Sequence, residues 1–312
     1  MSTISCSQRS ASDAPASSAP FALPGLVPGA ISEHGPSCVR VYPGGMVVAG
    51  RACDPPRALK VPPRGDIYGF SARSRRRATE TLARVSWEGL RTWFASLTYH
   101  NGAGVSPDSW HADLHAWEIA LARDWERFIL GGMWFLEFQE RGAPHFHVIL
   151  AWRSEPDLAQ FRRWNDRVWN RIAEPGDAQH LAVACRVTPL QIRKPGGVRM
   201  LVSYLATYLG KAKQKRRIDR ETGEILPTGR MWGTFLQFPQ SDGTLYVLSP
   251  QGMTALCRRI RRWGRSSRYL SRAGKRGGSL LVLGDAQALA QLLRGLAEPE
   301  QTGEQGLANA PP

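Results

Sequence analysis

The stretch from Trp134 to Leu150 constrains the fold of this chain most strongly, because it has the pattern of a β-hairpin. A run of alternating apolar and polar residues leads into residues 141–144, Arg-Gly-Ala-Pro, whose glycine and proline predict a turn. An apolar run that contains His145 and His147 follows the turn. Because the two strands of a hairpin pair antiparallel, the chain is expected to contain a sheet that is at least partly antiparallel.

The two histidines make this hairpin a candidate metal site. Alternate side chains of a strand share a face, so His145 and His147 are expected to project to the same side, about 7 Å apart along the chain. With a carboxylate from the preceding strand they would form a donor set suited to a divalent metal ion. Glu137 and Glu140 both precede the turn, and a one-residue change of register would exchange their faces. The alternative interpretation is a pair of structural histidines.

The other periodic segments predict an α+β fold, in which a central antiparallel sheet of about five strands is flanked by helices. Helical spacing of apolar residues is found on both sides of the hairpin, and short β-branched or aromatic runs separate the helical segments. The predicted helices run from Ser71 to Leu90, Pro107 to about Leu130, Glu155 to Ala173, Gly197 to about Lys213 and Pro250 to Trp263. The further predicted strands are 92–99, 182–192, 231–238 and 244–248.

Composition predicts four regions along the chain. Residues 1–65 are rich in Ser, Ala, Pro and Gly, which is typical of a mostly disordered arm. Two short apolar pieces of this arm, at 39–42 and 46–49, could form edge strands. The later regions are expected to be a main domain at 66–250, a basic DNA-binding extension at 251–285 and a tail at 286–312 that starts with a short helix.

The charge balance predicts a polyanionic partner. Lys and Arg total 41 against 26 Asp and Glu, a formal net charge of +15. So large an excess favours nucleic acid before a membrane surface. Residues 211–217 and 258–276 concentrate the basic side chains and are expected to follow phosphates, with Trp263 and Tyr269 available to stack on unpaired bases. A solvated basic tail is the alternative.

The cysteines and the apolar runs predict a cellular compartment. Five cysteines are widely scattered without a Cys-x-x-Cys pair, so neither a disulfide framework nor a zinc finger is expected. No apolar run has the length of a transmembrane helix, and the first residues lack the basic-then-apolar order of a secretion signal. A soluble protein of the reducing cytoplasm is therefore expected.

A pair of tyrosines forms the second candidate feature for chemistry. Tyr204 and Tyr208 lie four residues apart on a predicted helix, so both hydroxyls emerge on one face, and Lys211 follows on the same side. A tyrosine hydroxyl can open a phosphodiester without losing its energy, because the protein stays attached to the DNA through a phosphotyrosine bond. The alternative is an ordinary helix with core tyrosines and a solvated lysine.

Three stretches of the chain occur in an order that resembles a known family. They are the strand at 94–99, the segment Pro144–His147 and the segment Tyr204–Lys211. In this order they resemble the three motifs of the HUH endonucleases, the rolling-circle replication initiators of small plasmids and single-stranded DNA phages. The resemblance covers roughly residues 90–215.

The second and third motifs match residue by residue. Gly142, Pro144, His145 and His147 match a Gly-x-Pro turn followed by His-hydrophobic-His. Tyr208, followed three residues later by Lys, matches the third motif, and the Tyr-x-x-x-Tyr doublet is similar to the two-tyrosine branch of phage initiators.

The resemblance implies a fold, a cofactor and roles for particular residues. The sheet would be of the RRM or ferredoxin-like type. Mg²⁺ or Mn²⁺ would be held by His145, His147 and a glutamate. The spacing of Glu137 is similar to that in the two-tyrosine phage proteins, whereas that of Glu140 matches some viral relatives; Glu137 is the predicted third ligand. Lys211 would steady the scissile phosphate or the tyrosine.

The resemblance also implies partners and an activity. The protein would nick and rejoin single-stranded DNA at a replication origin through a 5′-phosphotyrosine intermediate. Thr98 and Tyr99, in the first motif, would be structural or position the DNA. The sequence contains no Gly-x-x-x-x-Gly-Lys-Ser/Thr pattern, so a host helicase and a host polymerase are the expected partners. The alternatives are a transposase or relaxase of the same superfamily and a non-catalytic nucleic-acid-binding protein.

Overall fold

A computed structural model describes residues 37–49, 65–87, 89–100, 106–183, 185–190, 216–219, 222–266, 279–284 and 286–296. The strands of this part of the chain are β1 (Ser37–Tyr42), β2 (Gly45–Ala49), β3 (Arg91–Thr98), β4 (Ile129–Phe138), β5 (Pro144–Trp152), β6 (Cys185–Leu190), β7 (Arg217–Ile218), β8 (Ile225–Leu226), β9 (Trp232–Leu236), β10 (Thr244–Leu248) and β11 (Ser279–Leu283). Its helices are α1 (Ala72–Arg84), α2 (Pro107–Trp125), α3 (Leu158–Ala173), α4 (Ala178–Val183), α5 (Pro250–Ser266) and α6 (Ala286–Leu293).

The predicted hairpin is the centre of a five-stranded antiparallel sheet in the order β6-β3-β5-β4-β9. The turn between β4 and β5 closes where the amide of Gly142 donates to the carbonyl of Gln139 at 2.8 Å. Gly142 has φ of +82°, a left-handed conformation that glycine adopts without steric cost. The α+β fold class and the central antiparallel sheet are confirmed.

Helices α2 and α3 cover one face of this sheet because their apolar stripes are built largely from aromatic residues. Trp117 and Trp125 of α2 and Phe161 of α3 are buried in the larger of two hydrophobic cores, together with Trp93 and Trp152 of the sheet. Burial of these large side chains stabilises the layer, at roughly 25 cal/mol for each Å² of apolar surface removed from water. The layer therefore supports the sheet on one face and leaves the positions on its other face for polar residues.

A second sheet has four antiparallel strands in the order β10-β1-β2-β11. One of its faces packs on α5 and α6 around a smaller core with Val39, Met46 and Leu248. On its other face Leu281 and Leu283 join the larger core, which also contains Ala83 of α1. Helix α1 is tied to the second sheet by a hydrogen bond from the amide of Gly44 to the carbonyl of Ala83, at 2.9 Å.

This second sheet corrects the predicted division of the chain. The apolar pieces at 39–42 and 46–49 were expected in a disordered arm, or as edge strands, yet β1 and β2 are the two central strands of the sheet. The predicted main domain at 66–250 includes β10, which pairs with β1 instead of with the five-stranded sheet. The basic extension at 251–285 contains the helix and strand that complete this second unit. The remaining residues of the arm lie outside the described part of the chain.

The boundaries of several elements differ from the predictions for local reasons. The helix predicted from Pro107 to about Leu130 ends at Trp125, because the chain turns into β4 at Ile129. The strand predicted to begin at Ala182 begins at Cys185, after the short helix α4. The helix predicted at 197–213 lies outside the described residues. No helix of the described part is both long and apolar enough to cross a membrane.

Candidate functional site

The register of the hairpin places one of the two candidate glutamates beside the histidines. Glu137 is paired directly with His145 across β4 and β5, and Phe135 is paired with His147. Directly paired side chains lie on the same face of a sheet, so Glu137, His145 and His147 share a face. Glu140 lies beyond the end of β4, in the turn, and is exposed. The structure therefore brings Glu137, and not Glu140, to the histidine pair.

The donor atoms of this cluster have a spacing that suits one metal ion. Nε2 of His147 lies 3.1 Å from Oε2 of Glu137, and the two side chains are buried, at 8% and 5% exposure. Adjacent ligands of an octahedral ion with bonds of about 2.1 Å are about 3 Å apart. The ring centroids of His145 and His147 are 4.4 Å apart, with the planes nearly perpendicular at 85°. Two imidazoles and a carboxylate of this geometry fit Mg²⁺ or Mn²⁺.

Two hydroxyl groups of β3 orient the imidazoles. Ser96 is paired with His147 and Thr98 with His145, so both hydroxyls lie on the histidine face. The Ser96 hydroxyl is 3.3 Å from Nδ1 of His147, and the Thr98 hydroxyl is 2.7 Å from Nδ1 of His145. Because Nδ1 is occupied in both rings, Nε2 is the nitrogen left for a metal ion. Sequence analysis missed Ser96, although an alternating Ser-Leu-Thr facing His-Phe-His was visible.

The backbone of Thr98 is fixed from the opposite side of the sheet. Its carbonyl accepts hydrogen bonds from Nε1 of Trp169, at 2.9 Å, and from Nε2 of His180, at 2.8 Å. Both donor side chains are completely buried. Asn170 in turn lies 3.0 Å from Nδ1 of His180. The end of β3, and with it the hydroxyl that contacts His145, is therefore anchored to α3 and α4.

A second group of metal-type donors lies where β3 ends. In the described part of the chain, the donor atoms of His100, Glu174 and Asp177 all lie within 4.8 Å of one another. One oxygen of Asp177 is 2.8 Å from Nδ1 of His100, and the other accepts from the backbone amide of His180 at 2.8 Å. The hydrogen bond from His100 lowers the pKa of the Asp177 carboxyl. Both oxygens thus tie the end of β3 to the start of α4, which is a structural role.

Tyr99 does not have the properties of a nucleophile. Its side chain is buried, and its hydroxyl donates to Oδ2 of Asp113 at 2.8 Å. Burial, followed by the hydrogen bond to Asp113, raises the pKa of Tyr99 well above its usual value. An ionised phenolate is therefore strongly disfavoured at this position, and Tyr99 supports the packing of β3.

Tyr204, Tyr208 and Lys211 lie outside the described residues. So does Tyr269, which was predicted to stack on bases. The candidate nucleophiles are thus known from their spacing in the sequence, whereas the candidate metal ligands are known from their positions on the sheet.

Residues 92–213 match a family model for replication-associated proteins of the ORF2 type. This segment contains β3 to β6, the Glu137/His145/His147 cluster and the three residues Tyr204, Tyr208 and Lys211, and it is less than half of the chain. The chain is also similar to a curated protein of Xylella fastidiosa (strain Temecula1 / ATCC 700964), "Putative replication protein PDa0002", with 33% identity over 93 residues. That similarity covers 28% of this chain and 33% of the relative, so the chain spans about a third of the relative's length. No solved structure matches.

Proposed function

We propose that this protein is a replication initiator that nicks and rejoins single-stranded DNA at a rolling-circle origin. The observation that carries the proposal is the buried Glu137 carboxylate, held 3.1 Å from His147 on a face shared with His145. The family match supports it, because the matched segment extends from this cluster to the tyrosine pair. A metal-type donor set followed by tyrosines suits a transesterification on a phosphodiester.

The metal ligands would be Nε2 of His147, Nε2 of His145 and the Glu137 carboxylate. Bound Mg²⁺ or Mn²⁺ stabilises the negative charge that develops on the oxygens of the scissile phosphate. Glu137 balances the positive charge of such a site. The ring of Phe94 stacks on His147, with the centroids 5.2 Å apart, and covers one side of the imidazole.

The hydroxyls of Ser96 and Thr98 can serve the imidazoles with or without a bound ion. When Nε2 of His147 donates its proton to Glu137, Nδ1 accepts a hydrogen bond from the Ser96 hydroxyl. When Nε2 instead uses its lone pair as a ligand, Nδ1 carries the proton and donates to the same oxygen. A hydroxyl can act as donor or acceptor, whereas a backbone carbonyl can only accept. The sheet therefore keeps the rings in one orientation through both states.

Tyr208 or Tyr204 would supply the nucleophile. The phenolic oxygen forms a bond to phosphorus, the bond from phosphorus to the 3′ oxygen breaks, the phenolic proton passes to solvent, and the leaving oxygen takes up a proton. The products are a 5′-phosphotyrosine and a free 3′-hydroxyl from which a polymerase can extend. Attack by a 3′-hydroxyl reverses these steps and rejoins the strand. Lys211, three residues after Tyr208, would neutralise charge on the phosphate.

The partners follow from this chemistry. The substrate is single-stranded DNA at an origin, which the formal net charge of +15 attracts. A host helicase would unwind the duplex, and a host polymerase would use the 3′-hydroxyl.

Adduct formation tests the proposal. Single-stranded oligonucleotides labelled at the 3′ end, tiled across the replicon that encodes the protein, are incubated with the protein and Mn²⁺ and run on a denaturing gel. One tile is expected to give a labelled protein band, which chelation of the metal abolishes. Tyr204→Phe and Tyr208→Phe, singly and together, identify the nucleophile. The proposal fails if no tile gives an adduct, or if the adduct persists in the double variant. Unchanged DNA binding without any cleavage would instead indicate a non-catalytic binding protein.

A further inference from the structure

The solvent face of α5 carries a group of arginines that the proposed nicking reaction does not use. Arg258, Arg261 and Arg262 are all exposed, and their spacing of three and four residues places them on one side of the helix. We call these three residues the arginine face. On the opposite side of the helix Leu256 and Ile260 are buried, at 0% and 3% exposure, in the smaller core.

The arginine face is held by packing against the second sheet. Leu256 and Ile260 fix α5 on the sheet through the smaller core. Arg259, which lies between the exposed arginines and is half-buried, donates from Nη1 to the carbonyls of Leu292 and Arg294 at 2.9 and 2.8 Å. These bonds satisfy carbonyls at the C-terminal end of α6. The segment predicted as a possible solvated tail is, over α5, a docked helix with a fixed array of cations.

The charge on this helix layer is not compensated, in contrast to that of the other layer. Helices α2 and α3 together contain five arginines and five acidic residues. Asp124 of α2, for example, accepts hydrogen bonds from Arg123 and from Nε1 of Trp164. Helices α5 and α6 contain five arginines and no acidic residue. Arginine guanidinium groups without neighbouring carboxylates are suited to bind phosphate oxygens.

The aromatic content of α5 decides between single-stranded and double-stranded DNA. Proteins that hold single strands combine basic side chains with exposed rings on which bases stack. The aromatic residue of α5 is Trp263, and it packs against the smaller core. A Cβ added at Gly284 would lie 3.4 Å from the Trp263 ring, so the ring is in close contact with the end of β11. The predicted stacking of Trp263 on unpaired bases is therefore wrong, and the helix offers phosphate contacts alone.

We propose that the arginine face binds the phosphate backbone of double-stranded DNA that flanks the nicked strand. The choice of DNA as the polyanion rests on the proposed function. The contact is independent of base sequence and weakens as salt rises, because each neutralised phosphate releases a condensed counterion. The second sheet thus anchors the duplex, and the five-stranded sheet acts on the single strand.

Binding of a labelled mixed-sequence duplex of about 40 base pairs, and of a single strand of equal length, tests the proposal. Fluorescence anisotropy is measured from low to physiological salt, without cleavage. For the variant with Arg258→Gln, Arg261→Gln and Arg262→Gln, duplex affinity is expected to fall at least about tenfold at low salt. The slope of log K against log salt should become shallower by about 2–3, since each lost phosphate contact removes about 0.9. Single-strand affinity should fall less.

Two matched variants complete the design. Arg163→Gln, Arg167→Gln and Arg171→Gln remove three exposed arginines from α3 and should leave the duplex slope within about 1 of the wild type. Lysine at positions 258, 261 and 262 keeps the charge and should keep the slope. The proposal is overturned if the α5 glutamine variant retains the wild-type slope, if the α3 variant loses as much, or if single-strand binding falls as far as duplex binding. Adduct formation is a separate readout, so failure here leaves the nicking proposal standing.

Discussion

The two sheets of this protein share antiparallel pairing but differ in the polarity of their faces. On the five-stranded sheet one face is apolar and packs on α2 and α3, whereas the other carries a row with His145 and Glu137 and a row with His147 and Ser96. On the four-stranded sheet both faces are apolar, one toward α5 and α6 and the other toward the larger core. A sheet with a polar face can hold reactive side chains in register. A sheet enclosed on both faces can contribute to function only through the helices that cover it.

The largest expected effect is on the polar face. Glu137→Gln keeps the shape of the side chain and removes its negative charge, so adduct formation should fall by on the order of 10²–10³-fold. Mn²⁺ binding, measured by calorimetry, should weaken in parallel. Glu140→Gln is the control, because Glu140 is exposed in the turn, and it should behave as the wild type. Equal losses in the two variants would contradict the assignment of Glu137 as the ligand. Neither change should alter duplex binding.

The next prediction concerns the separateness of the two cores. Leu150 is fully buried in the larger core and Leu256 in the smaller one, and truncating either to Ala should cost about 2–5 kcal/mol. During denaturation Leu256→Ala should lose duplex binding before Mn²⁺ binding, and Leu150→Ala should show the opposite order. If both signals are lost together in each variant, the two sheets unfold as one unit and the comparison between them breaks.

A smaller effect is expected from the hydroxyl that orients His145. Thr98→Ala removes the partner 2.7 Å from Nδ1 and should weaken Mn²⁺ binding about 10- to 100-fold. Thr98→Ser keeps the hydroxyl and should restore most of the affinity. Nitrogen chemical shifts of the His145 ring in the metal-free protein should show a change of tautomer or of ring orientation in the Ala variant alone. If Ala and Ser behave alike, Thr98 has only a packing role.

The smallest effect separates a structural arginine from the binding arginines of the same helix. Arg259→Met removes the hydrogen bonds to the end of α6 and should lower the free energy of unfolding by about 1–2 kcal/mol. The salt slope of duplex binding should change by less than in the triple glutamine variant. A loss of slope as large as that of the triple variant would show that the arginine face is not defined by exposure.

The elements that sequence analysis predicted well are those whose pattern is local. The hairpin, the α2 and α3 helices and the strand at 244–248 follow from the spacing of their own residues, and each lies close to its predicted position. The failures are elements whose partners are distant. Strands β1 and β2 were predicted as parts of an arm because their neighbours β10 and β11 lie far toward the other end of the chain. A short apolar run carries no local signal of such a partner.

The sequence by itself determined that His145 and His147 share a face, because side chains alternate along any strand. It also determined the excess of positive charge and the spacing of Tyr204 and Tyr208. Only the tertiary structure decided that Glu137 faces the histidines and Glu140 does not, since the hairpin register sets which residues are paired. It likewise decided that Ser96 and Thr98 orient the imidazoles, because β3 pairs with β5 although a helix and a strand separate them in the chain. Pairing between distant strands depends on the packing of the whole sheet, and a local pattern does not record it.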